Sequence, residues 1–298
     1  MASRKYLLIA NPVSGQGNAV ASLSRVAGRL EEAGLLTTQR ESQHAGDIEE
    51  MVASCDPDTY TGVCIAGGDG SVRECATGLQ RNPQGRHLCV GLIGSGTGNS
   101  IHRALGLGDL ETCVARIIAG QARPIDLLRV DADQETFYGV NLVGWGAAAS
   151  LGARAESMRW LGRSRYAFAT LVEVARATKR RAELVTGEQV IADSAFLILG
   201  CNTEYGGWQM RLAPQASITD GLIDLTVVHK ATRLQLLRLF SKVYSGRHVD
   251  EAAVHYLQVP NYSIVSDEPQ GLNLDGDVLE GRFRRVDVAV IQEGMNVY

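Results

Sequence analysis

Short apolar runs alternate with amphipathic segments along the first 122 residues. The runs KYLLIA, GVCIAGG and LCVGLIG are continuous and short, which predicts buried strands. Apolar residues at a spacing near 3.6 predict helices over residues 18–33 and 71–79, with others from Asp47 to Ala53 and from Ser100 onward. A strand followed by a helix, repeated, predicts an α/β domain whose parallel sheet is covered by helices on both faces.

The pattern changes after Arg123. Segments rich in β-branched residues and separated by turn residues predict strands, with helices near residues 163–178 and 232–245. We therefore expect two domains, an α/β domain at residues 1–122 and a mainly antiparallel β domain at residues 123–298. The C-terminal residues could pack back on the first domain.

Composition narrows the class of protein. The chain of 298 residues is 45% hydrophobic and 21% charged, which is typical of globular domains. No stretch approaches the roughly 18 apolar residues that a membrane-spanning helix needs. Six cysteines show neither a CxxC pair nor the histidine spacing of a zinc site, so we expect them to be reduced and buried. We predict a cytoplasmic protein with at most a peripheral contact with the inner membrane face.

Three glycine-rich loops each follow a predicted strand and precede a predicted helix. They are NPVSGQGNA at residues 11–19, GGDGSV at residues 67–72 and GSGTGNS at residues 94–100. Exposed amides at helix starts, with glycines that allow close approach, are typical of an anion site. A bare glycine turn explains any one loop, but three at one sheet edge favour phosphate binding. No P-loop, dinucleotide fingerprint or GxSxG elbow is present, which disfavours a dehydrogenase or hydrolase.

Asp69 is the unusual residue in these loops. A carboxylate among anion-binding amides repels phosphate, whereas phosphoryl transfer uses a base that orients and deprotonates the attacking hydroxyl. The alternative is that Asp69 bonds its own backbone in an Asp-Gly turn. We interpret Asp69 as a candidate general base.

The motifs NPVSGQG, GGDGS, GSGTGN, LAPQASITDGLIDLTVV and LNLDGD occur in an order that resembles the diacylglycerol kinase catalytic superfamily. The segment at residues 143–171 is similar to the one that distinguishes sphingosine and ceramide kinases from bacterial diacylglycerol kinases. The resemblance implies an ATP-dependent lipid kinase. Its α/β domain would be NAD kinase-like and bind nucleotide, and its second domain would be a lipid-binding β-sandwich.

The resemblance also implies roles for individual residues. Asp69 is expected to be the general base, and Asp275 to bind Mg²⁺. Asp220 and Asp224 match an acidic motif that is structural or binds metal in relatives. The residues expected to bind the nucleotide are Asn11, Thr38, Gly67, Gly68, Gly70, Ser71, Gly96, Thr97, Gly98, Asn99, Glu156, Arg159, Arg165 and Asp277. Forked arginines and a hard carboxylate ligand suit the charge of a transferring phosphoryl group.

Two positions bear on the acceptor lipid. Sphingosine kinases carry acidic residues where this chain has Ser150 and Gly152, and one of those acids pairs with the amine of the long-chain base. Burying an ammonium without a counter-charge is costly, so a neutral headgroup fits better than sphingosine. We predict ceramide or a related neutral lipid as acceptor. The alternatives are a diacylglycerol kinase, a sphingosine kinase, an NAD kinase-like enzyme and a catalytically silent sensor.

The segment at residues 154–181 is basic, with eight cations against two acids in a chain of net charge −4. Its predicted helix carries Phe168, Leu171, Val172 and Ala175 on one face, which is typical of a helix that docks on anionic lipid. A core-packed helix with solvated ends is the alternative. We expect a lipid substrate and a peripheral membrane contact, no nucleic-acid partner, and a monomer or homodimer.

Overall fold

The computed structural model describes residues 4–96, 99–158, 160, 165–176, 178–207 and 210–298. The chain divides into two compact units. The first comprises Met1–Leu127 and Gln292–Tyr298, and the second comprises Leu128–Ile291. The predicted boundary at residue 122 lies slightly before this division, and the C-terminal residues belong to the first unit.

The first unit alternates strands with helices. Its elements are β1 (Lys5–Ala10), α1 (Asn18–Glu32), β2 (Leu36–Glu41), α2 (Asp47–Ala53), β3 (Gly62–Gly67), α3 (Asp69–Arg81), β4 (Cys89–Gly94), α4 (Ser100–Ala104) and α5 (Leu110–Ala119). The strands lie in the order β2-β1-β3-β4, and every pairing among them is parallel. Asn296 and Val297, near the C-terminus, extend this sheet by pairing in parallel with β4.

Both faces of this sheet are covered, because the side chains of β1 are buried in both directions. Tyr6 and Leu8 pack into a cluster with α1 and α5, while Leu7 and Ile9 alternate to the opposite face and are buried as well. The C-terminal Tyr298 also belongs to the first cluster. The last residues of the chain therefore complete the core of the first unit.

The second unit is mainly antiparallel. Its helices are α6 (Ala147–Ser157), α7 (Arg165–Arg176) and α8 (Arg233–Lys242). Its strands are β6 (Glu135–Gly139), β7 (Leu142–Gly146), β8 (Arg180–Thr186), β9 (Gln189–Ala195), β10 (Leu197–Cys201), β11 (Tyr205–Gly206), β12 (Met210–Arg211), β13 (Ile223–Val228), β14 (Val254–Val259), β15 (Asn261–Gln270), β16 (Leu272–Leu274) and β17 (Asp277–Val278). Two further strands run across the division of the chain, namely β5 (Arg123–Ala132) and β18 (Phe283–Val297).

Two sheets enclose the core of the second unit. One has the order β18-β15-β8-β9, with β5 paired to β18 and β6 paired to β5, and the other has the order β14-β13-β10-β7-β16-β17. One apolar cluster takes residues from both, including Trp145 of β7, Ile198 of β10 and Ile264 of β15. This is the architecture of a β-sandwich, as predicted.

The apolar pattern predicted most of these elements, but two helices and several strands were missed, namely α5, α6, β2, β8, β9, β11, β12, β14, β16 and β17. In β2 most side chains are exposed or half-buried, so the edge strand lacks an apolar run. The small residues of α6 give little helical periodicity. Among the described residues, no helix is long and apolar enough to cross a membrane.

Candidate active site

The three glycine-rich loops meet at the carboxyl edge of the first unit's sheet, because β1, β3 and β4 are neighbours. The amide of Asn11 donates to the carbonyl of Ala66 at 2.9 Å, and the amide of Ser95 donates to the carbonyl of Gly67 at 3.0 Å. The hydroxyl groups of Ser14 and Ser95 lie 3.3 Å apart. Backbone and side-chain bonds therefore tie each loop to the next.

The second and third loops touch through their backbones. A Cβ atom added to Gly96 would lie 2.6 Å from the Cα of Gly68, and one added to Gly67 would lie 2.3 Å from the Oγ of Ser71. The Asn11 side chain donates to that Oγ at 3.1 Å. Glycine is needed where backbones approach so closely, and the result is a cradle in which the second and third loops meet backbone to backbone at Gly68 and Gly96.

Asp69 connects two loops rather than turning back on its own backbone. It is the first residue of α3, and its carboxylate accepts hydrogen bonds from the amides of Ser100 at 3.1 Å and Ile101 at 3.3 Å. These amides open α4 and have no partner within that helix. The carboxylate is thereby fixed in position, which a general base requires, and its position also depends on the third loop.

Two polar residues beside Asp69 are half-buried, with polar side-chain atoms that are buried. Asn99 adopts a left-handed backbone conformation, with φ of 48°, and its Oδ1 atom has no hydrogen-bond partner among the described residues. Burial lowers the pKa of His102, while the charge of Asp69 opposes that shift. The His102 ring packs against Gly94, where an added Cβ would lie 2.9 Å from it. A buried acceptor such as Asn99 Oδ1 suits a donor supplied by a ligand.

Of the remaining predicted nucleotide residues of the first unit, the structure describes Gly70 and Thr38. Gly70 lies in the first turn of α3. Thr38 lies within β2, paired with Leu7 of β1 and half-buried. Thr97 and Gly98 fall outside the described residues.

Asp275, in the second unit, is a buried carboxylate with backbone partners. It accepts hydrogen bonds from the amides of Val140, Asn141 and Leu142, each at 2.8 Å. Its backbone is left-handed, with φ of 55°, and its amide donates to the carbonyl of Leu142. A carboxylate offers about four lone-pair sites, and three serve these amides. Asp275 therefore holds the LDGD turn against residues 140–142, while Asp277 is exposed.

Asp220 and Asp224 also have structural partners. Asp220 is exposed, and its carboxylate accepts from the amide of Leu222 at 3.0 Å, closing a turn. Asp224 is buried in β13, where Tyr256 donates to it and Gln258 lies within 3.3 Å. Burial raises the pKa of the Asp224 carboxyl group. Among the described residues, no cluster of three acidic, histidine or cysteine side chains could hold a metal.

The basic segment is described only in part. Glu156 lies near the end of α6 and Arg165 begins α7, while Arg159 falls outside the described residues. Arg154 of α6 and Glu173 of α7 form an ion pair at 3.2 Å, and the Glu173 side chain is only 7% exposed. This pair joins the two helices.

An apolar cavity of about 230 Å³ lies within the second unit. Its walls come from α6, α7, α8 and the strands β7, β10 and β13. Leu151, Val174, Leu199, Leu239 and Phe240 are typical lining residues. Apolar walls of this kind are suited to hydrocarbon.

Gly152 and Ser150 differ in their relation to this cavity. Gly152 lines it, and a Cβ added there would lie 2.4 Å from the Nδ2 of Asn273. The Ser150 hydroxyl instead donates to the carbonyl of Gly146 and accepts from Arg180 at 3.1 Å. Of the two positions, only residue 152 contributes to the cavity wall.

Comparison with known proteins agrees with this architecture. Residues 5–130 match the diacylglycerol kinase catalytic domain, and residues 141–289 match the YegS C-terminal NAD kinase beta sandwich-like domain. A diacylglycerol kinase of Mycobacterium tuberculosis is 30% identical over 277 residues, which cover 88% of each chain. The chain belongs to the diacylglycerol kinase family of lipid kinases.

A second sequence relative and a solved structure are also similar to this lipid kinase. Sphingosine kinase 2 of Arabidopsis thaliana is 24% identical, with 93% of this chain and 69% of that protein covered. The crystal structure of a putative diacylglycerol kinase from Bacillus anthracis has a TM-score of 0.81 at 22% identity, covering 100% and 95% of the two chains. The predicted fold, family and ATP-dependent lipid kinase activity are confirmed.

Sequence reasoning missed two features of this lipid kinase. One is His102, the residue directly after the two amides that donate hydrogen bonds to the Asp69 carboxylate. Its position in the first helical turn after GTGNS was the sequence signal that could have indicated it. The contribution of α8 to the cavity was also missed, although Leu236, Leu239, Phe240 and Val243 recur at helical spacing. Neither of these sequence patterns shows which residues lie nearby in the folded protein.

Replacing Asp275 with Asn should destabilise this lipid kinase. The amide side chain cannot accept from all three backbone donors, so we expect a loss of about 2–4 kcal/mol in unfolding free energy. Thermal and urea unfolding measure it. Asp277→Asn is the matched control in the same turn, and it should change the unfolding free energy by no more than about 0.5 kcal/mol, as is usual for an exposed side chain. Equal stability of both variants would contradict the role given to Asp275.

Proposed function

We propose that this lipid kinase transfers the γ-phosphoryl group of ATP to the hydroxyl of a neutral lipid. The observation that carries the proposal is the apolar cavity of the second unit. Its apolar walls suit acyl chains, and membership of the diacylglycerol kinase family supports the kinase chemistry. Asp69 would accept the proton of the lipid hydroxyl as the phosphoryl group is transferred.

The cradle of the first unit fits the phosphates of ATP. Its backbones meet at Gly68 and Gly96 without intervening side chains, so the loops can approach phosphate oxygens closely. We infer that Asn11, Ser71 and the glycine amides bind the nucleotide, with Thr38 as a neighbour. Glu156, Arg159, Arg165 and Asp277 are proposed as further nucleotide contacts on the strength of the family resemblance.

Mg²⁺ would bind with ATP rather than in a cage of protein ligands. Mg²⁺ commonly takes one or two carboxylates together with substrate phosphates and water. Of the two acids in LDGD, Asp277 is the exposed one, and we infer that it meets Mg-ATP while Asp275 shapes the turn. We attribute structural roles to Asp220 and Asp224 because their carboxylates bond within their own turn and strand.

The charge balance of the cavity favours a neutral headgroup. Glu173 is an acid of the cavity wall, and Arg154 neutralises it. Gly152 supplies no carboxylate. An ammonium in this cavity would lack a free counter-charge, which is costly in a medium of low polarity.

Diacylglycerol and ceramide are the two neutral lipids to distinguish. The name of the Mycobacterium tuberculosis relative favours diacylglycerol. The resemblance of residues 143–171 to ceramide and sphingosine kinases favours ceramide. Both carry a primary hydroxyl and two apolar chains, so the same cavity and the same base would serve either.

A panel of acceptors tests this function. Purified protein with Mg-ATP should phosphorylate diacylglycerol or ceramide, with kcat/KM for sphingosine lower by about tenfold or more because its ammonium is uncompensated. Radiolabelled ATP and thin-layer separation measure each product. Good activity on sphingosine with none on either neutral lipid would overturn the proposal, and activity on NAD alone would favour the NAD kinase-like alternative.

We further infer that the enzyme reaches its substrate by a peripheral contact with the inner membrane face. Phe168 and Leu171 of α7 are 52% and 50% exposed, and Ala175 is exposed on the same face. Exposed apolar side chains flanked by cations favour a lipid surface over solvent.

A further inference from the structure

Helix α8 has two apolar faces. Leu236, Leu239 and Phe240 line the cavity. Leu234 and Leu237 lie on the other side of the helix, 77% and 39% exposed, and Tyr244 continues this stripe just beyond the helix at 45%. Residues three, four or seven apart share a helix face, so Leu234, Leu237 and Tyr244 form one exposed stripe, which borders the cavity-facing residues at Phe240. A soluble protein gains nothing from a leucine stripe in water.

The exposed stripe is surrounded by positive charge. Residues 230–249 contain no acidic residue, and their cations are Lys230, Arg233, Arg238, Lys242 and Arg247. Glu251 pairs with Lys242 and, at 3.3 Å, with Arg238. The long side chains of such cations can keep their charges at the phosphates while the leucines enter the hydrocarbon.

Helices α7 and α8 are in contact, and both contribute residues to the cavity wall. Their inner faces line the cavity, and their outer faces expose Phe168, Leu171, Leu234 and Leu237. An apolar surface directly outside an apolar cavity fits a bilayer that supplies the cavity with its lipid. A second copy of the chain fits less well, because two surfaces with this excess of cations repel each other.

We propose that α8 docks this enzyme on an anionic lipid surface, with Leu234, Leu237 and Tyr244 inserted and Arg233 at the phosphates. This inference rests on the proposed function, because it supplies the route by which a membrane lipid reaches the cavity. It extends the docking surface of α7 to a second helix.

The test is co-sedimentation with phosphatidylcholine vesicles that contain or lack phosphatidylglycerol. Leu234→Ser with Leu237→Ser should weaken binding to the anionic vesicles about tenfold or more, because two exposed apolar side chains no longer insert. Arg233→Glu should weaken it through charge reversal. Leu36→Ser and Arg40→Glu are matched controls on an exposed edge strand of the first unit, and they should bind as the unaltered protein does.

A second measurement separates docking from catalysis. Activity on a short-chain lipid in detergent micelles should be unchanged in the α8 variants, while activity on lipid held in anionic vesicles falls with binding. Unaltered vesicle binding by these variants, binding that ignores phosphatidylglycerol, or a change only in oligomeric state by size-exclusion chromatography would each overturn the proposal. If no lipid is phosphorylated but the α8 variants still lose vesicle binding, the proposed function fails and the docking surface stands.

Discussion

Asp69→Asn will lower kcat by about 10²- to 10⁴-fold, the range expected for removal of a general base. The lost group is the carboxylate that would take the proton of the lipid hydroxyl. The two oxygens of the same carboxylate accept hydrogen bonds from the amides of Ser100 and Ile101. Asparagine has only one side-chain oxygen, so it can keep one of these bonds, and its N–H₂ group would face the other donor. The measurement is kcat with Mg-ATP and the best acceptor of the lipid panel, together with a thermal melt.

Asp109→Asn is the matched control. Asp109 caps α5 by accepting the amide of Thr112 at 3.0 Å, so it performs for α5 a role similar to that of Asp69 for α4. Asparagine is as good a cap as aspartate, and activity should be unchanged. A fall in kcat at an unchanged melting temperature supports the base. Full activity of Asp69→Asn would refute it, and a loss of stability alone would leave Asp69 only its capping role.

Gly96→Ala should lower kcat/KM for ATP by about 10²-fold, since a displacement of about 1 Å near the reacting groups has that effect. The added Cβ would lie 2.6 Å from the Cα of Gly68 and 3.0 Å from Oδ1 of Asn99. A flexible side chain could move aside, but the backbone of Gly68 is held between β3 and α3. The two loops must therefore separate, and the phosphate cradle opens.

Gly28→Ala provides the control for the substitution itself. Gly28 is exposed within α1, and the added Cβ would have no atom within 4 Å beyond its chain neighbours and the adjacent backbone of the same helix. Alanine there should stabilise the protein by roughly 0.5–1 kcal/mol and leave the ATP kinetics unchanged. A Gly96→Ala variant with unaltered kcat/KM for ATP would show that the close approach of the loops is not needed for nucleotide binding.

Most strands and helices of the first unit could be predicted from the local pattern of apolar and polar residues. The runs that form β1, β3 and β4 are apolar throughout because both faces of a parallel sheet are buried. Helix α2 was predicted to run from a cap at Asp47 to about Ala53, and the structure has it from Asp47 to Ala53 with Gly46 as its N-cap. Edge strand β2 was missed because a strand exposed along much of its length has no apolar run.

The second unit was predicted in class but less fully in detail. Its strands could be recognised from β-branched residues, yet nothing local distinguishes a buried structural aspartate from a metal ligand. Asp275 illustrates this, because its partners at residues 140–142 are more than 130 positions away. The preference for Asp277 over Asp275 as the group near Mg-ATP came only from their difference in burial.

By itself, the sequence determined which chemistry is available and in what order along the chain. It placed three glycine-rich loops after three strands, an aspartate within the second loop and a family-specific order of motifs, because turns and strand ends depend on near neighbours. The tertiary structure decided which groups meet. Asp69 reaches amides some 31 residues away, and the cavity brings α8 together with α6 and α7, which lie much earlier in the chain, because such contacts depend on how strands pair and helices pack.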